Sequence, residues 1–315
     1  MSSNPKPHLV GMVGATATGK TQFSLDIAES LDGEIINCDS RLFYRGMDVA
    51  TAKPNIKERR GITHHLIDIL DPNEQYSLAE HLKAARQAVV EIISRGNLPI
   101  IVGGSGQYVW ALLEGWNVPE IEPDPDLRAE LESIIESRGI EYLAEQLNET
   151  APEIANRTDL SNPRRVVRAM ERLTHDAHNS ITLQNKPDDP PYDSLVIGLT
   201  VDRKILHKRV IKRIEYMKHK GWVEEVQHLH DIGLTSSDRA MSGIGYKQML
   251  GHINGDYDLD EAVRLTTVAT NRLIRQQANW FRHDDDRITW FNVTNNDFNT
   301  RKSIIQHVHD WIATK

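Results

Sequence analysis

The order of apolar and polar positions near the start of the chain predicts a strand, a turn and a helix. His8 to Val13 is mostly apolar, as expected of a short buried strand. The turn reads GATATGKT, residues 14 to 21, and apolar residues then recur at helical spacing from Thr21 to Leu31. Glu34 to Asn37 predicts a second strand, which runs into Cys38-Asp39-Ser40. The chain therefore opens with a β–loop–α unit followed by another strand.

Further along the chain, strands continue to alternate with helices. Ser77 to Arg95 places its apolar residues on one face, which predicts an amphipathic helix. It leads into LPIIVGG, residues 98 to 104, a continuous apolar run of the kind found in buried parallel strands. The remaining predicted core elements are a strand at 194–200, helices over 203–220 and 260–282, and a strand at 287–292. This alternation predicts an α/β fold with a doubly wound parallel-sheet core.

The pattern changes in the middle of the chain. A Pro-rich and acidic stretch, EIEPDPD, follows Pro119 and is typical of a domain border. Helical segments are then predicted over Pro125 to Arg138, Ile140 to Asn148, and Pro163 to Thr174. NKPDDPPYD, residues 185 to 193, is too rich in proline for a helix and predicts a second linker. We therefore expect a core of residues 1–119 and 191–315, interrupted by a mostly helical insertion domain of residues 120–190.

Composition and cysteine content narrow the class of protein. Of the 315 residues, 26% are charged and 39% are hydrophobic, which is ordinary for a globular protein. No run of about 18 apolar residues predicts a membrane span, and the N-terminal residues lack the pattern of a secretory signal. The single cysteine, Cys38, permits no intrachain disulfide. We expect a cytoplasmic protein that does not associate with membranes.

The charge is unevenly distributed along the chain. A net charge of −8 argues against general coating of nucleic acid, but Arg203 to Lys220 carries eight basic residues against Glu215 alone. Such a segment provides a local positive field for a polyanionic partner. A solvated helix face is the alternative interpretation for any one of these lysines.

GATATGKT satisfies the phosphate-loop pattern G-x-x-x-x-G-K-[ST]. Its position at a predicted strand-to-helix turn makes the match strong. The loop comprises Gly14, Ala15, Thr16, Ala17, Thr18, Gly19, Lys20 and Thr21. The glycines let backbone N–H groups turn toward anionic oxygens, and the helix that follows adds its positive end. Lys20 is expected to bridge adjacent phosphoryl groups, and the Thr21 hydroxyl to ligate Mg²⁺.

The residues that an ATPase needs beside this loop are not evident. An ATPase requires an apolar strand that ends in an acid, whereas LPIIVGG ends in glycine and Asp68 lacks a matching strand context. Asp39 instead follows the second strand, at the sheet edge that hosts ligands in doubly wound folds. A carboxylate there is placed to take a proton from an acceptor. A small-molecule kinase and a transferase with a diphosphate-ester donor both fit, and a non-catalytic nucleotide-binding module leaves Asp39 without a task.

Several longer motifs accompany the phosphate loop. The most specific are INCDSRLFYRGMDVATAKP, from Ile36 to Pro54, and VGGSGQYVWALLEG, from Val102 to Gly115. HHLIDILDP, NPRRVVRAMERL, GIGYKQM and RQQANWFR lie elsewhere along the chain. A phosphate loop alone is generic, but in combination with these motifs the chain closely resembles one family over nearly its whole length, the bacterial tRNA dimethylallyltransferases, also called tRNA isopentenyltransferases.

The resemblance implies a fold and an activity. It implies a P-loop kinase-like core with a helical insertion domain, a requirement for Mg²⁺ and no consumption of ATP. The implied reaction transfers a dimethylallyl group from dimethylallyl diphosphate to the N6 amine of the adenosine 3′ to the anticodon, in tRNAs that read codons beginning with U. The implied partners are the anticodon stem-loop and the prenyl donor, and we expect a monomer. An adenylate isopentenyltransferase, which prenylates a free nucleotide, is the nearest alternative.

The resemblance also implies roles for individual residues. Asp39 is implied as the base, and Lys20, Ser105 and Arg213 complete the implied catalytic set. Arg209 and Arg213, one helical turn apart, would close over the diphosphate held by the loop. Contacts with tRNA are implied for Asp39, Ser40, Arg41, Leu42, Ser105, Arg128, Arg164, Arg165, Arg168, Gly245, Tyr246 and Lys247.

Other interpretations of these residues remain open at this point. Asp39 also suits a helix cap or a turn, Ser105 suits a turn between glycines, and some of the arginines suit ion pairs with Glu171. RQQANW departs from the family's usual Lys-Arg-Gln-x-Thr-Trp because Gln276 replaces a base. We therefore assign this segment no charge-based role, and we expect Trp280 to belong to the core.

Overall fold

The computed structural model describes residues 5–120, 124–176, 186–295 and 297–314. Its strands are β1 His8–Gly14, β2 Gly33–Asn37, β3 His64–His65, β4 Leu98–Val102, β5 Asp193–Thr200 and β6 Ile288–Asn292. The first helices are α1 Lys20–Ser30, α2 Leu78–Ser94 and α3 Gly106–Leu113, followed by α4 Pro125–Arg138, α5 Ile140–Thr150, α6 Pro152–Ala155 and α7 Pro163–Asp176. The last are α8 Arg203–His219, α9 Trp222–Asp231, α10 Tyr246–Ile253, α11 Leu259–Trp280 and α12 Phe298–Ala313.

The described strands form one parallel sheet in the order β3-β2-β4-β1-β5-β6. β1 lies inside the sheet, where Val10 pairs with Ile100 of β4 and with Leu195 of β5. Burial on both faces explains why these strands read as continuous apolar runs. The predicted α/β fold with a parallel-sheet core is confirmed.

Close packing shapes the turn between β1 and α1. Gly14 has φ +139°, and a Cβ there would lie 2.6 Å from the carbonyl oxygen of Leu199. Gly19 and Ala17 also have positive φ, at 103° and 68°. The φ values of Gly14 and Gly19 are far from those that residues with a side chain usually adopt, so the backbone path of the loop favours glycine at these two positions. The turn therefore rests directly on the end of β5.

Several elements differ from the sequence-based expectation. The sequence did not predict α3, α6, α9, α10 or α12, although Ile304 and Val308 of α12 are fully buried. His64–His65 does form a short strand, paired with Ile35 and Ile36 of β2. Two residues are too few to produce a recognisable alternation, because a strand period is itself two residues.

Backbone contacts divide the chain into two compact units. Unit 1 comprises Met1–Trp116 and Lys186–Lys315, and unit 2 comprises Asn117–Asn185. The predicted borders followed residues 119 and 190, so the second lies within unit 1. The reason is that Lys186 pairs with Glu114 at 2.9 Å, and Pro187 and Pro191 pack around Gly115. Residue 185 of the predicted linker lies outside the described residues.

Unit 2 is built from α4 to α7. Leu131, Leu143, Val166 and Val167 form one buried cluster, and Leu147, Ile154 and Ala169 belong to a second. The apolar positions of α7 thus pack into both clusters. Among the described residues of both units, no helix is long and apolar enough to cross a membrane.

Candidate active site

A large cavity of unit 1 lies where β1, β2 and β4 end. Its volume is about 470 Å³. Thr16 from the phosphate loop, Asp39 to Arg41 after β2, and Gly104 to Tyr108 after β4 all line it. Ligands of doubly wound sheets bind at this edge because the strands diverge there. α8 and α11 supply the opposite lining, including Arg213 and Gln277.

Lys20 is held against its own loop. Its Nζ donates to the carbonyl oxygens of Gly14 and Ala15, each at 2.9 Å. Burial lowers the pKa of Lys20 to about 8, while Asp39 acts to raise it and Arg213 to lower it further. The first turn of α1 has N–H groups without intrahelical partners, so an anion bound there meets both the helix end and this ammonium.

The pKa of Lys20 predicts a pH limit on binding of diphosphate to the free protein. The ammonium is charged below its pKa, so affinity for Mg²⁺-diphosphate should fall as the pH rises through about 8. An unperturbed lysine would keep its charge to about pH 10. Titration calorimetry between pH 7 and 10 measures the decline. A Lys20→Arg variant, whose charge persists above pH 12, is the control, and the same decline in that variant would assign the effect to another group.

The two carboxylate oxygens of Asp39 differ in their hydrogen bonds. Its Oδ1 accepts the N–H of Arg41 at 3.0 Å, and its own N–H donates to Asn37 Oδ1 at 2.9 Å. This is an Asx turn, so the alternative interpretation of Asp39 as a turn residue is correct for one oxygen. Oδ2 has no hydrogen-bond partner among the described residues. The turn thus fixes the carboxylate in the cavity and leaves one oxygen for a ligand.

A smaller cavity of about 60 Å³ lies next to Asp39. Lys20, Thr21, Asn37, Asp39 and Leu42 line it, with Gly103 at the end of β4. A Cβ at Gly103 would lie 2.3 Å from the carbonyl oxygen of Cys38. β4 is followed by glycine because Cys38, directly after β2, occupies the space that a side chain would need.

Ser105 and Arg213 face the same large cavity as Asp39. Ser105 is the N-cap of α3, yet its hydroxyl makes no capping hydrogen bond and stays available for a ligand. Arg213 donates to the carbonyl oxygen of Thr51 at 2.8 Å. Burial lowers the pKa of its guanidinium, and Asp39 acts in the opposite direction. Asp39, Ser105 and Arg213 thus line one cavity, whereas Lys20 lines the smaller cavity, which Asp39 also lines.

Arg209 lies beside the loop rather than over it. Its guanidinium donates to the carbonyl oxygens of Thr18 at 3.2 Å, Val293 at 3.1 Å and Thr294 at 3.0 Å. These contacts tie the loop to the end of β6. Contact of Arg209 with the diphosphate stays a prediction, and it requires some of these bonds to be exchanged.

The segment after Asp39 is anchored by Arg41. Its guanidinium donates to the carbonyl oxygen of Arg239 at 3.0 Å and to Ser242 Oγ at 3.4 Å. Ser40 and Arg41 line the large cavity beside Asp39. Arg41 thus connects the predicted tRNA-contacting segment with the loop before α10.

The predicted contact segment at Gly245 to Lys247 is divided between interior and surface. Tyr246 is fully buried, and its hydroxyl donates to Glu225 Oε1 at 2.6 Å. Glu225 Oε2 also accepts the N–H groups of Asp48 and Val49, each at 2.8 Å. Gly245 is buried and Lys247 is exposed. Tyr246 therefore supports the cavity wall, and Lys247 is the member of the segment that is open to a partner.

Gln277 is a site residue that sequence reasoning missed. It is only 5% exposed, and its Oε1 accepts the N–H of Thr16 at 2.8 Å. Its Nε2 donates to the carbonyl oxygen of Gly104 at 3.2 Å. The expectation that Trp280 belongs to the core is wrong, because its side chain is 42% exposed and lines the cavity. Gln277 lies within RQQANW, but its contacts are with residues distant in the chain, so no charge or spacing in that motif indicates them.

Comparison with known proteins identifies the family. The family model described as IPP transferase matches residues 42–284. The chain belongs to the IPP transferase family. It is 40% identical over 291 residues to a tRNA dimethylallyltransferase of Thermomicrobium roseum, covering 92% of this chain and 88% of that protein.

Solved structures agree with this assignment. The crystal structure of the full-length tRNA isopentenylpyrophosphate transferase from Bacillus halodurans superposes with a TM-score of 0.72 at 37% identity, covering 98% of this chain and 96% of that one. A eukaryotic dimethylallyltransferase acting on tRNA has a TM-score of 0.81 at 23% identity, covering 98% and 80%, and shows the shared fold. As a member of this family, the chain is a transferase.

Of the arginines predicted to contact tRNA, Arg41 lies in unit 1 and the others lie in unit 2, where some have acidic partners. Glu171 is fully buried and accepts from Arg128 Nε at 2.6 Å and from Arg168 at 3.1 Å. Burial acts to raise the pKa of Glu171, but these hydrogen bonds outweigh it and lower the pKa. Arg165 lies 3.3 Å from Asp159, and Arg164 is exposed. The ion-pair interpretation therefore describes Arg128 and Arg168 in this structure, whereas Arg164 and Arg165 face solvent.

The donor atoms near the loop fit Mg²⁺ better than a softer metal. Thr21, Asn37 and Asp39 bring hydroxyl, amide and carboxylate oxygens to the small cavity. Among the described residues, no group of three or more His, Cys, Asp or Glu side chains could hold a metal. Mg²⁺ commonly binds through few protein oxygens together with substrate phosphates and water. Thr21 is the residue expected to hold it.

Proposed function

We propose that this protein transfers a dimethylallyl group from dimethylallyl diphosphate to the N6 amine of the adenosine 3′ to the anticodon. The tRNAs concerned are those that read codons beginning with U. The products are N6-dimethylallyladenosine in the tRNA and diphosphate. One observation supports this most: the available oxygen of Asp39 shares a cavity with Thr16 of the phosphate loop, Ser105 and Arg213.

The proposed step exchanges one bond for another. The bond between the allylic carbon and the diphosphate oxygen breaks, and a bond from that carbon to N6 forms. The proton of N6 passes to Asp39, and the electron pair of the broken bond leaves with diphosphate. The amine is a weak nucleophile because its lone pair is shared with the purine ring, so a carboxylate that accepts its proton promotes attack.

The phosphate loop serves the leaving group in this proposal. Negative charge develops on the departing diphosphate, where Lys20, the loop N–H groups and Arg213 stabilise it. Mg²⁺, held at Thr21, supplies further positive charge when bound. The hydroxyl of Ser105, which makes no capping hydrogen bond, is proposed to hydrogen-bond the target nucleotide. A base stacked in a tRNA loop must leave its stack to reach this cavity.

Label transfer tests the proposed function. Wild-type protein with labelled dimethylallyl diphosphate, Mg²⁺ and an unmodified anticodon stem-loop should yield labelled RNA. AMP replaces the RNA in a parallel reaction, and ATP with a hydroxyl acceptor replaces the donor in another. Transfer to AMP with none to RNA would identify an adenylate isopentenyltransferase, and phosphoryl transfer in place of prenyl transfer would identify a kinase.

Arg164 and Arg165 are proposed to contact tRNA phosphates, because both are exposed on α7. Replacing both with glutamine should weaken tRNA binding and reduce the slope of log K against log salt by about 1 per phosphate contact. Turnover at saturating tRNA should be retained. Filter binding over a salt series measures the slope. Arg138→Gln, another exposed arginine of unit 2, is the matched control, and a loss of turnover rather than affinity would place the pair in the chemistry.

In this proposal the protein acts in the cytoplasm, where its tRNA substrate and prenyl donor are available, and as a monomer.

A further inference from the structure

The side-chain amide of Gln277 connects two loops that have different partners in the proposed reaction. One is the phosphate loop, reached through the N–H of Thr16 at 2.8 Å and its hydroxyl at 3.2 Å. The other is the turn after β4, reached through the carbonyl oxygen of Gly104 at 3.2 Å. Gly104 directly precedes Ser105, which is proposed to hold the acceptor. One buried amide thus touches the donor side and the acceptor side together.

The contact between α11 and the turn after β4 depends on two glycines. A Cβ at Gly104 would lie 2.2 Å from Gln277 Nε2, and a Cβ at Gly106 would lie 2.3 Å from Trp280. Neither distance permits a side chain, so the last turns of α11 are packed directly on the glycine turn. Trp110 Nε1 also donates to the carbonyl oxygen of Trp280 at 3.0 Å, which fixes the end of α11 to α3. The amide of Gln277 therefore has little freedom to move independently.

Thr16, the loop residue that Gln277 holds, lies at the end of the phosphate loop that faces the large cavity. Thr16 lines the large cavity together with Asp39 and Ser105, whereas Lys20 and Thr21 line the smaller one. In a phosphate loop the N–H groups normally turn toward the anion. Here the N–H of Thr16 is already bound to Gln277, so this position fixes the loop backbone rather than offering a free donor.

From this geometry we infer that Gln277 is a positioning residue that keeps the prenyl donor in register with its acceptor. The inference rests on the proposed function. The allylic carbon must lie within reach of N6 when its bond to diphosphate breaks, and a displacement of about 1 Å reduces rates by as much as about 100-fold. Without the amide, the two loops are free to separate. Water then competes with N6 for the allylic carbon, forming a C–O bond to a prenyl alcohol and releasing diphosphate and a proton.

The prenyl donor is either transferred to RNA or hydrolysed. The ratio of these two outcomes distinguishes a positioning role of Gln277 from simple destabilisation of the protein. In Gln277→Ala, kcat for prenyl transfer should fall by roughly 10- to 100-fold, with KM for the anticodon stem-loop unchanged. The ratio of hydrolysed donor to prenylated RNA should rise about tenfold over wild type. Gln277→Glu keeps an acceptor for the N–H of Thr16 but loses the donor to Gly104. Its kcat and its ratio of hydrolysis to transfer should lie between those of wild type and Gln277→Ala. Asn279→Ala, an exposed amide on the same helix, should behave as wild type.

Hydrogen exchange tests the connection without any reaction. Amides of residues 12–20 and 102–108 should exchange faster in Gln277→Ala than in wild type and in Asn279→Ala. An unchanged partition ratio with unchanged exchange would refute the positioning role. Equal losses of transfer and of hydrolysis, with a lower melting temperature, would reduce Gln277 to a stabilising residue. If wild type transfers no prenyl group, the proposed function fails, while the exchange experiment still decides whether Gln277 holds the loops.

Discussion

Asp39→Asn is expected to lower the rate of prenyl transfer by roughly 10²- to 10⁴-fold while leaving tRNA affinity nearly unchanged. In the protein, the backbone nitrogen of Arg41 lies 3.0 Å from Asp39 Oδ1. Asparagine keeps an oxygen that accepts this N–H, so the Asx turn is retained. What it loses is the charge and the ability to take the proton of N6. Single-turnover kinetics with saturating donor and stem-loop measure the chemical step directly.

The choice of asparagine separates the two roles of Asp39. Asp39→Ala removes the turn and the base together, whereas Asp39→Asn removes the base alone. Asp286→Asn makes the same change at an exposed position and should retain wild-type rates. A normal single-turnover rate in Asp39→Asn would show that the residue serves only the turn.

Lys20→Met is expected to reduce prenyl transfer by roughly 10²- to 10³-fold, the scale seen when one donor to a developing anion is removed. Methionine retains the apolar stem of the side chain but removes the ammonium that burial and Arg213 already make less basic. Less charge is then available to stabilise departing diphosphate. Because the acceptor side is untouched, binding of the anticodon stem-loop should be preserved.

Two measurements distinguish this effect from general damage. The affinity for Mg²⁺-diphosphate, measured by calorimetry, should fall together with the rate, and the melting temperature should not fall. Lys302→Met, an exposed lysine on α12, serves as the charge-matched control. Retention of diphosphate affinity in Lys20→Met would mean that the loop N–H groups and the helix end suffice, contrary to the proposed role.

Local patterns predicted most of the central sheet correctly. β1, β2, β4 and β5 are buried on both faces, so their apolar runs stand out from the flanking sequence. α2 could be placed closely because Ser77 and Glu80 form a capping box at its start. Signals of this kind lie within a few consecutive residues, which is why they can be read without the tertiary structure.

The missed helices carry weaker local signals. α3 begins in the glycine turn after β4, and α10 follows Gly245, whose φ is +94°. A glycine-rich start resembles a loop in sequence, and these helices are stabilised mainly by packing, as most helices in proteins are. The sheet order was likewise not predictable, because strand pairing joins segments far apart in the chain.

The sequence also located part of the candidate site, and the roles of these residues stay predictions. The sequence identified the phosphate loop, Asp39 and Ser105, because their motifs are contiguous. It did not identify Gln277, whose contact with Thr16 joins residues separated by 261 positions. It left open whether Arg128 and Arg168 were surface charges or partners of Glu171, because burial of the carboxylate decides that question.

The sequence by itself therefore determined the family, the α/β class and the position of the phosphate loop, since each depends on residues close together in the chain. Only the tertiary structure decided which atoms are available. It assigned one oxygen of Asp39 to a turn and left the other in the cavity, and it bound the N–H of Thr16 to Gln277. The physical reason is that a polar atom buried in a protein is either paired or open to a ligand, and the pairing is set by packing between distant segments.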